Sequence, residues 1–212
     1  MDVSTEIVIF TIRDRLQVFL RRRTDPLSGE RTWALPGGAV GAGEDVDVAA
    51  TRTLTEQTGL KAVYLEQLYT FGCPDRHPLR RLITVAYYAL TPAERAVEAG
   101  RDDDELAWFP CDALPELYLD HDTIVDVARE RLIAKLDYST IAFQFMPKHF
   151  TLSELQQVYE TILGESLDKR NFRKRVLSIG NLEQTGKMRR NGSHRPARLY
   201  RLRVPGEVQF IK

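Results

Sequence analysis

The chain has 212 residues, 43% of them hydrophobic and 28% charged, with 30 basic and 30 acidic side chains. That composition excludes disorder over most of its length and suits two small domains, or one of average size with an appendage. No Lys or Arg precedes Ile7, and the apolar run Ile7 to Phe10 is too short for a signal peptide or a membrane span. The two cysteines, Cys73 and Cys111, form no CxxC pair. The expectation is therefore a cytoplasmic protein without a membrane segment, its two thiols reduced and structural.

Residues 6–12 and 16–20 are short β-branched and aromatic runs around Arg13-Asp14-Arg15, which reads as an opening hairpin. A third short strand is expected at 32–35. The segment Pro36 to Gly43 then holds four glycines, which predicts an irregular loop where backbone approaches something closely. Helical spacing returns at 45–58, with Gly59 as its stop. Strands are expected at 62–71, 82–90 and 107–109, and a helix at 123–136 with Ile124, Ala128, Leu132 and Leu136 on one stripe. Interleaved strands and helices make residues 1–145 an α/β domain, and the aperiodic stretch 137–149 marks a boundary.

The second domain, residues 148–212, opens on the T-x-x-E capping pattern of Thr151 and Glu154. A helix follows to Gly164, then a second one capped by Asp168 that buries Phe172, Val176 and Ile179. The segments 182–190 and 197–204 flank the turn Asn191-Gly192 as a hairpin. Helix, turn, basic helix and basic hairpin is the order of a winged helix-turn-helix whose second helix reads DNA. Charge agrees with this division. Residues 168–203 hold twelve basic and two acidic side chains, whereas residues 1–167 carry a net of −10. A basic half of that size suits a polyanionic partner.

Gly38, Glu44, Arg52, Leu54, Glu56, Gly59 and Leu60 stand at the spacing of the box Gx5Ex7REUxEExGU (U aliphatic), with the lead-in Trp33-Ala34-Leu35-Pro36-Gly37. This segment closely resembles the Nudix box. Where the box has three further glutamates, this chain has Thr53, Glu56 and Gln57. Positions i, i+3 and i+4 share a helix face, so an intact box converges three carboxylates on a divalent cation. A hydroxyl and an amide remove two of those charges. Restoring glutamates at 53 and 57 is then expected to raise turnover, provided the geometry is intact.

A Nudix-like domain with altered carboxylates joined to a winged helix resembles the Nudix-related transcriptional regulators of NAD metabolism, and nearly the whole chain reads like that family, including Phe71 to Arg80, Phe150 to Glu160, Leu167 to Arg173 and Arg195 to Tyr200. The resemblance implies a Nudix-type α/β/α sandwich followed by a winged helix, in a homodimeric repressor of NAD synthesis or salvage genes. It also implies ADP-ribose or a related NAD-derived nucleotide as effector, a palindromic double-stranded DNA operator, weak or absent hydrolysis, and no required cofactor. Magnesium is left open. No catalytic residue and no metal ligand is assigned. Ligand-binding candidates are Trp33, Gly37, Gly38, Arg52 and Glu56 around the box, with Arg76, Arg80 and Arg81 as guanidinium groups suited to phosphate or ribose. DNA-binding candidates are Lys169, Arg170, Asn171, Arg173 and Lys174 on the second helix, and Arg189, Arg190, Arg195 and Arg198 on the hairpin.

Two alternatives differ in class. An active ADP-ribose pyrophosphatase with an accessory nucleic-acid-binding domain would keep Glu44 and Glu56 and could draw a loop base from Asp102-Asp103-Asp104-Glu105. An RNA-binding Nudix protein would want exposed aromatic residues, whereas residues 168–203 offer only Phe172 and Tyr200.

Overall fold

The structure, a computed structural model, describes residues 2–26, 28–97, 104–190 and 196–211. The chain divides into two compact units, residues 1–131 and 132–212. That division falls ahead of the 145–148 boundary read from the sequence. Residues 141–145, aperiodic in sequence, form a 3-10 turn whose Ile141, Ala142, Phe143 and Phe145 are buried, and they belong to the second unit.

In the first unit the central strand is β1 (Asp2–Ile12), buried at eight consecutive positions. It pairs antiparallel with β2 (Leu16–Thr24) and parallel with β6 (Leu82–Leu90), and β6 carries the edge strand β5 (Tyr64–Phe71). On its other side β2 meets β3 (Arg31–Ala34) and β7 (Leu106–Pro110). Glycines 37 and 38, expected in an irregular loop, instead form a short strand, β4 (Gly37–Ala39), paired with Ser4 to Glu6 of β1.

Helix α1 (Val46–Thr58) is started by Asp45, whose carboxylate accepts from the Asp47 N–H, and stopped by Gly59 at φ +72°. Its Ala50 and Leu54 close a core with Ile7, Ile9, Phe19, Tyr87, Ala89 and Trp108. Period-two alternation turns Val8, Phe10, Tyr88 and Leu90 to the opposite side of the sheet, where they too are buried. Helix α3 (His121–Tyr138) supplies buried Ile124, Val125 and Ala128, and Arg131 ties it to the Leu68 carbonyl of β5. The four-residue α2 (Ala93–Ala96), behind Thr91-Pro92, was not among the expected elements.

The second unit places α4 (Leu152–Leu163) behind the expected capping box, formed reciprocally by Thr151 and Glu154. Helix α5 (Lys169–Ser178) is capped by Asp168. Tyr159 and Phe172 lock the two helices edge to face, 5.2 Å between ring centres. Strands β8 (Leu182–Arg189) and β9 (Ala197–Leu202) form the wing, with an irregularity between Gln184 and Met188 at Gly186, φ +73°. The expected strand reached Val204. In fact β9 ends at Leu202, Val204 is exposed, and Leu199 and Tyr200 are both buried. The turn Asn191-Gly192 lies outside the described residues. Both cysteines are free thiols. Cys73 is exposed, which corrects its assignment as structural, whereas burial pushes the Cys111 thiol up to about 12.

Candidate functional site

The loop between β4 and α1 is organised by Glu44 and Arg52. Arg52 grips the Glu44 carboxylate through Nε and Nη2 at 2.8 and 2.9 Å, and reaches the Ala39 carbonyl at 3.2 Å. The Gly41 N–H donates to the same carboxylate at 2.9 Å. These bonds, the guanidinium first and the backbone N–H second, hold the Glu44 carboxyl down to about 2.

The box face of α1 is engaged elsewhere. Thr53 is buried, its Oγ1 unpaired and 3.5 Å from where a Gly38 Cβ would stand. Gln57 accepts from the Gly37 N–H at 3.2 Å and donates to the Gly37 carbonyl at 2.8 Å. Glu56 is exposed and faces Arg52 at 3.4 Å. A divalent cation of the hard, oxygen-seeking kind wants several free anionic oxygens. One carboxylate paired to an arginine, one buried hydroxyl and one amide bound to backbone do not fit it. Among the described residues no group of three His, Cys, Asp or Glu side chains is arranged to hold a metal.

Beside this loop the first unit has a cavity of about 520 Å³, whose lining includes Gly38 to Ala42, Arg76, His77 and Arg80. Its inner wall carries Glu6 and His121, both buried. Glu6 lies against Gly37, where a Cβ would fall 1.7 Å from its Oε2, so a larger residue there would displace the Glu6 carboxyl. Burial outweighs the nearby charges of Arg23 and Arg76 and pushes the Glu6 carboxyl up to about 8. Burial likewise pushes the His121 imidazole down to about 3. Its Nδ1 accepts from the Leu35 N–H at 3.0 Å, which leaves the proton of the neutral ring on Nε2, 4.0 Å from Glu6 Oε1.

The predicted ligand residues separate accordingly. Gly38, Arg76 and Arg80 line the cavity. Arg76 is held there: its buried guanidinium makes two bonds to Asp120, at 3.0 and 2.6 Å, and a third to Thr84. Arg80 is half-exposed and pairs with Asp2 at 3.1 Å. Arg81 turns away to the Gly72 carbonyl, and Arg52 and Glu56 pair with each other beside the loop. Trp33 packs edge to face on Phe109 under the Arg22 guanidinium, and Gly37 is covered by Glu6. These five positions do not line the cavity. Sequence reasoning missed Glu6, Arg23, Tyr118, Asp120 and His121. A histidine close to the start of the expected helix 123–136 was the one available signal for His121. Of the acidic run, Asp102 and Asp103 lie outside the described residues, and Glu105 pairs with Arg31.

In the second unit Lys169, Arg170, Asn171 and Lys174 are exposed on α5, as are Arg190 and Arg198 on the hairpin. Arg173 is half-buried, with Nη2 3.5 Å from Ser153 Oγ and Nε unpaired. Ser153, Gln157, Lys169, Arg173 and Arg198 border a groove of about 790 Å³ between the helices and the wing. Arg189 was expected to reach phosphates, but it spans the unit internally, bonding Glu154 Oε1 at 2.7 Å and the His149 carbonyl at 3.0 Å. Arg175 caps the end of α3 through the carbonyls of Leu136 and Asp137. Arg195 lies outside the described residues.

Known proteins share both halves. The NUDIX domain matches residues 3–128 and the NrtR DNA-binding winged helix domain matches residues 142–202. The chain is 34% identical over 204 residues to the ADPR responsive transcriptional repressor NtrR of Acinetobacter baylyi, covering 94% of this chain and 81% of that protein. It superposes on Shewanella oneidensis NrtR complexed with a 27mer DNA at a TM-score of 0.85, with 34% identity over 94% of this chain and 93% of that one. The NUDIX domain of the same Shewanella protein, complexed with ADP ribose, matches at a TM-score of 0.52 and 32% identity, covering 61% of this chain and 87% of that one. With a Nudix domain followed by this winged helix along nearly its whole length, the chain belongs to the NrtR family of transcriptional regulators.

Proposed function

We propose that this protein is a transcriptional repressor of NAD synthesis or salvage genes whose Nudix domain binds ADP-ribose, or a related NAD-derived nucleotide, without turning it over. The observation that carries this reading is the fate of the box face of α1: the two positions that would supply further carboxylates are a buried threonine and a glutamine bound to Gly37, while the adjoining cavity keeps Arg80 at its rim. An exposed ion pair such as Arg80–Asp2 contributes little, so exchanging the aspartate for a phosphate is cheap. The ADP-ribose complex of the Shewanella NUDIX domain supports the ligand class.

The module of residues 1–145 then senses and the module of residues 148–212 reads DNA in the cytoplasm. Exposed Arg170 and Asn171 suit bidentate contacts with guanine and adenine edges, and Lys169, Lys174, Arg190 and Arg198 suit phosphates. A single winged helix offers a small contact area, so the protein acts as a homodimer on a palindromic operator. Among the described residues no helix is long and apolar enough to cross a membrane. The test is calorimetry with ADP-ribose, NAD, nicotinamide mononucleotide and pentose phosphates, run beside a magnesium-dependent hydrolysis assay. Binding of ADP-ribose with no release of AMP is expected. Robust hydrolysis that survives Glu56→Gln contradicts the reading.

A further inference from the structure

The Glu6–His121 wall has no part in the box, yet it is the most buried polar surface of the cavity. Glu6 is 6% exposed and His121 1%, and Glu6 Oε2 has no hydrogen-bond partner. The imidazole is oriented by the Leu35 N–H, so its Nε2–H is directed by the fold rather than by a side-chain partner. Its distance to Glu6 Oε1, 4.0 Å, is too long for a hydrogen bond between them. It is, however, the span across which one oxygen can stand about 2.8 Å from both atoms, accepting from Nε2–H and donating to Oε1. A ligand oxygen that both accepts and donates in this way is a hydroxyl, in the place a water would otherwise take.

The same wall is unsuited to a nucleobase. Tyr118, which lines the cavity, already carries the Arg23 guanidinium over its ring at 4.3 Å, and Glu6 and His121 offer directional bonds instead of a flat apolar face. From this juxtaposition we infer that Glu6 and His121 form a hydroxyl-reading subsite that takes the terminal pentose of the ligand and sets the preference for a nucleotide sugar over the plain nucleotide. The inference rests on the proposed ligand reading. Arg76, fixed by Asp120 and Thr84, stands beside the subsite as a permanent positive charge. It holds the polarity of the wall without being spent on it.

The experiment is calorimetric titration of the full-length protein with ADP-ribose and with ADP, which lacks the terminal pentose. His121→Asn keeps an acceptor for the Leu35 N–H while removing the Nε2–H, and Glu6→Leu removes both oxygens. Each is expected to raise the Kd for ADP-ribose about tenfold or more while changing that for ADP less than about twofold. Glu6→Gln, which retains an acceptor, should stay within about threefold of wild type for both. Equal weakening toward the two ligands means a structural role and overturns the inference, as does unchanged ADP-ribose affinity, the result expected if the gap holds only a water. If the wild-type protein binds ADP-ribose no better than buffer, the ligand reading itself fails and this inference falls with it.

Discussion

Gln57 holds both polar groups of the Gly37 peptide, its amide oxygen taking the N–H at 3.2 Å and its amide nitrogen serving the carbonyl at 2.8 Å. A glutamate cannot do this, because a carboxylate offers no donor. From sequence, Gln57→Glu reads as restoring a Nudix ligand. In the structure it sets a carboxylate oxygen against the Gly37 carbonyl and strands that carbonyl half-buried. Without a divalent cation, Gln57→Glu is expected to destabilise the protein by about 1–3 kcal/mol. Thermal unfolding with and without magnesium checks this, and an unchanged midpoint without metal contradicts the role given to Gln57.

Glu6 and His121 bias stability in opposite directions with pH. Glu6 rises from 4.5 to about 8 on folding, so the folded state holds the proton more tightly and stability falls as pH rises through that window. His121 falls from 6.5 to about 3, so stability rises with pH across that window. Each slope is at most about 1.4 kcal/mol per pH unit, and between 4.5 and 6.5 they offset. Arg23, Arg76, Arg21 and Asp120 act on Glu6 from around it. Glu6→Gln should remove the decline between 6.5 and 8 and uncover a rise between 4.5 and 6.5. A melting series across pH 4–9 should show this change of slope relative to wild type.

Two cavity arginines should separate stability from binding. Asp120→Asn leaves the buried Arg76 guanidinium, 2% exposed, without its counter-charge, at an expected cost of about 3 kcal/mol. Arg80→Ala breaks an exposed pair and should change stability by less than about 0.5 kcal/mol while weakening ADP-ribose binding. Urea unfolding and calorimetry on the two variants test the pairing of effects.

The basic residues of the second unit should fail in three ways. Replacing Arg170 or Asn171 by Ala is expected to cost about 1–3 kcal/mol on the preferred site and to relax base preference there. Arg198→Ala should weaken all sequences alike and reduce the salt slope by about one. Arg189→Ala should act through lost stability of the winged helix, since its bonds go to Glu154 and His149. Fluorescence anisotropy on a selected duplex and a scrambled one, at several salt concentrations, separates these patterns.

What the sequence revealed was what depends on local spacing. Glu44 and Arg52 were legible because they stand at the spacing of the Nudix box, and the capping box of Thr151 and Glu154 because its two residues are three positions apart. The cavity wall was not legible. Glu6 meets Gly37 only through strand pairing, and His121 is oriented by Leu35, 86 residues away. Arg189 shows the converse limit: composition counted it with the DNA-facing charges, although a carboxylate 35 residues earlier had claimed it.

Whether the sensor controls the reader is decided by one titration. Anisotropy of a duplex selected from random sequence by the full-length protein, measured without magnesium in the absence and presence of saturating ADP-ribose, reports the coupling directly. The prediction is a shift of at least about fivefold in DNA affinity with ADP-ribose, lost in Arg80→Ala at the same nucleotide concentration. An identical DNA affinity with and without ADP-ribose, under conditions where calorimetry shows the nucleotide bound, would contradict it.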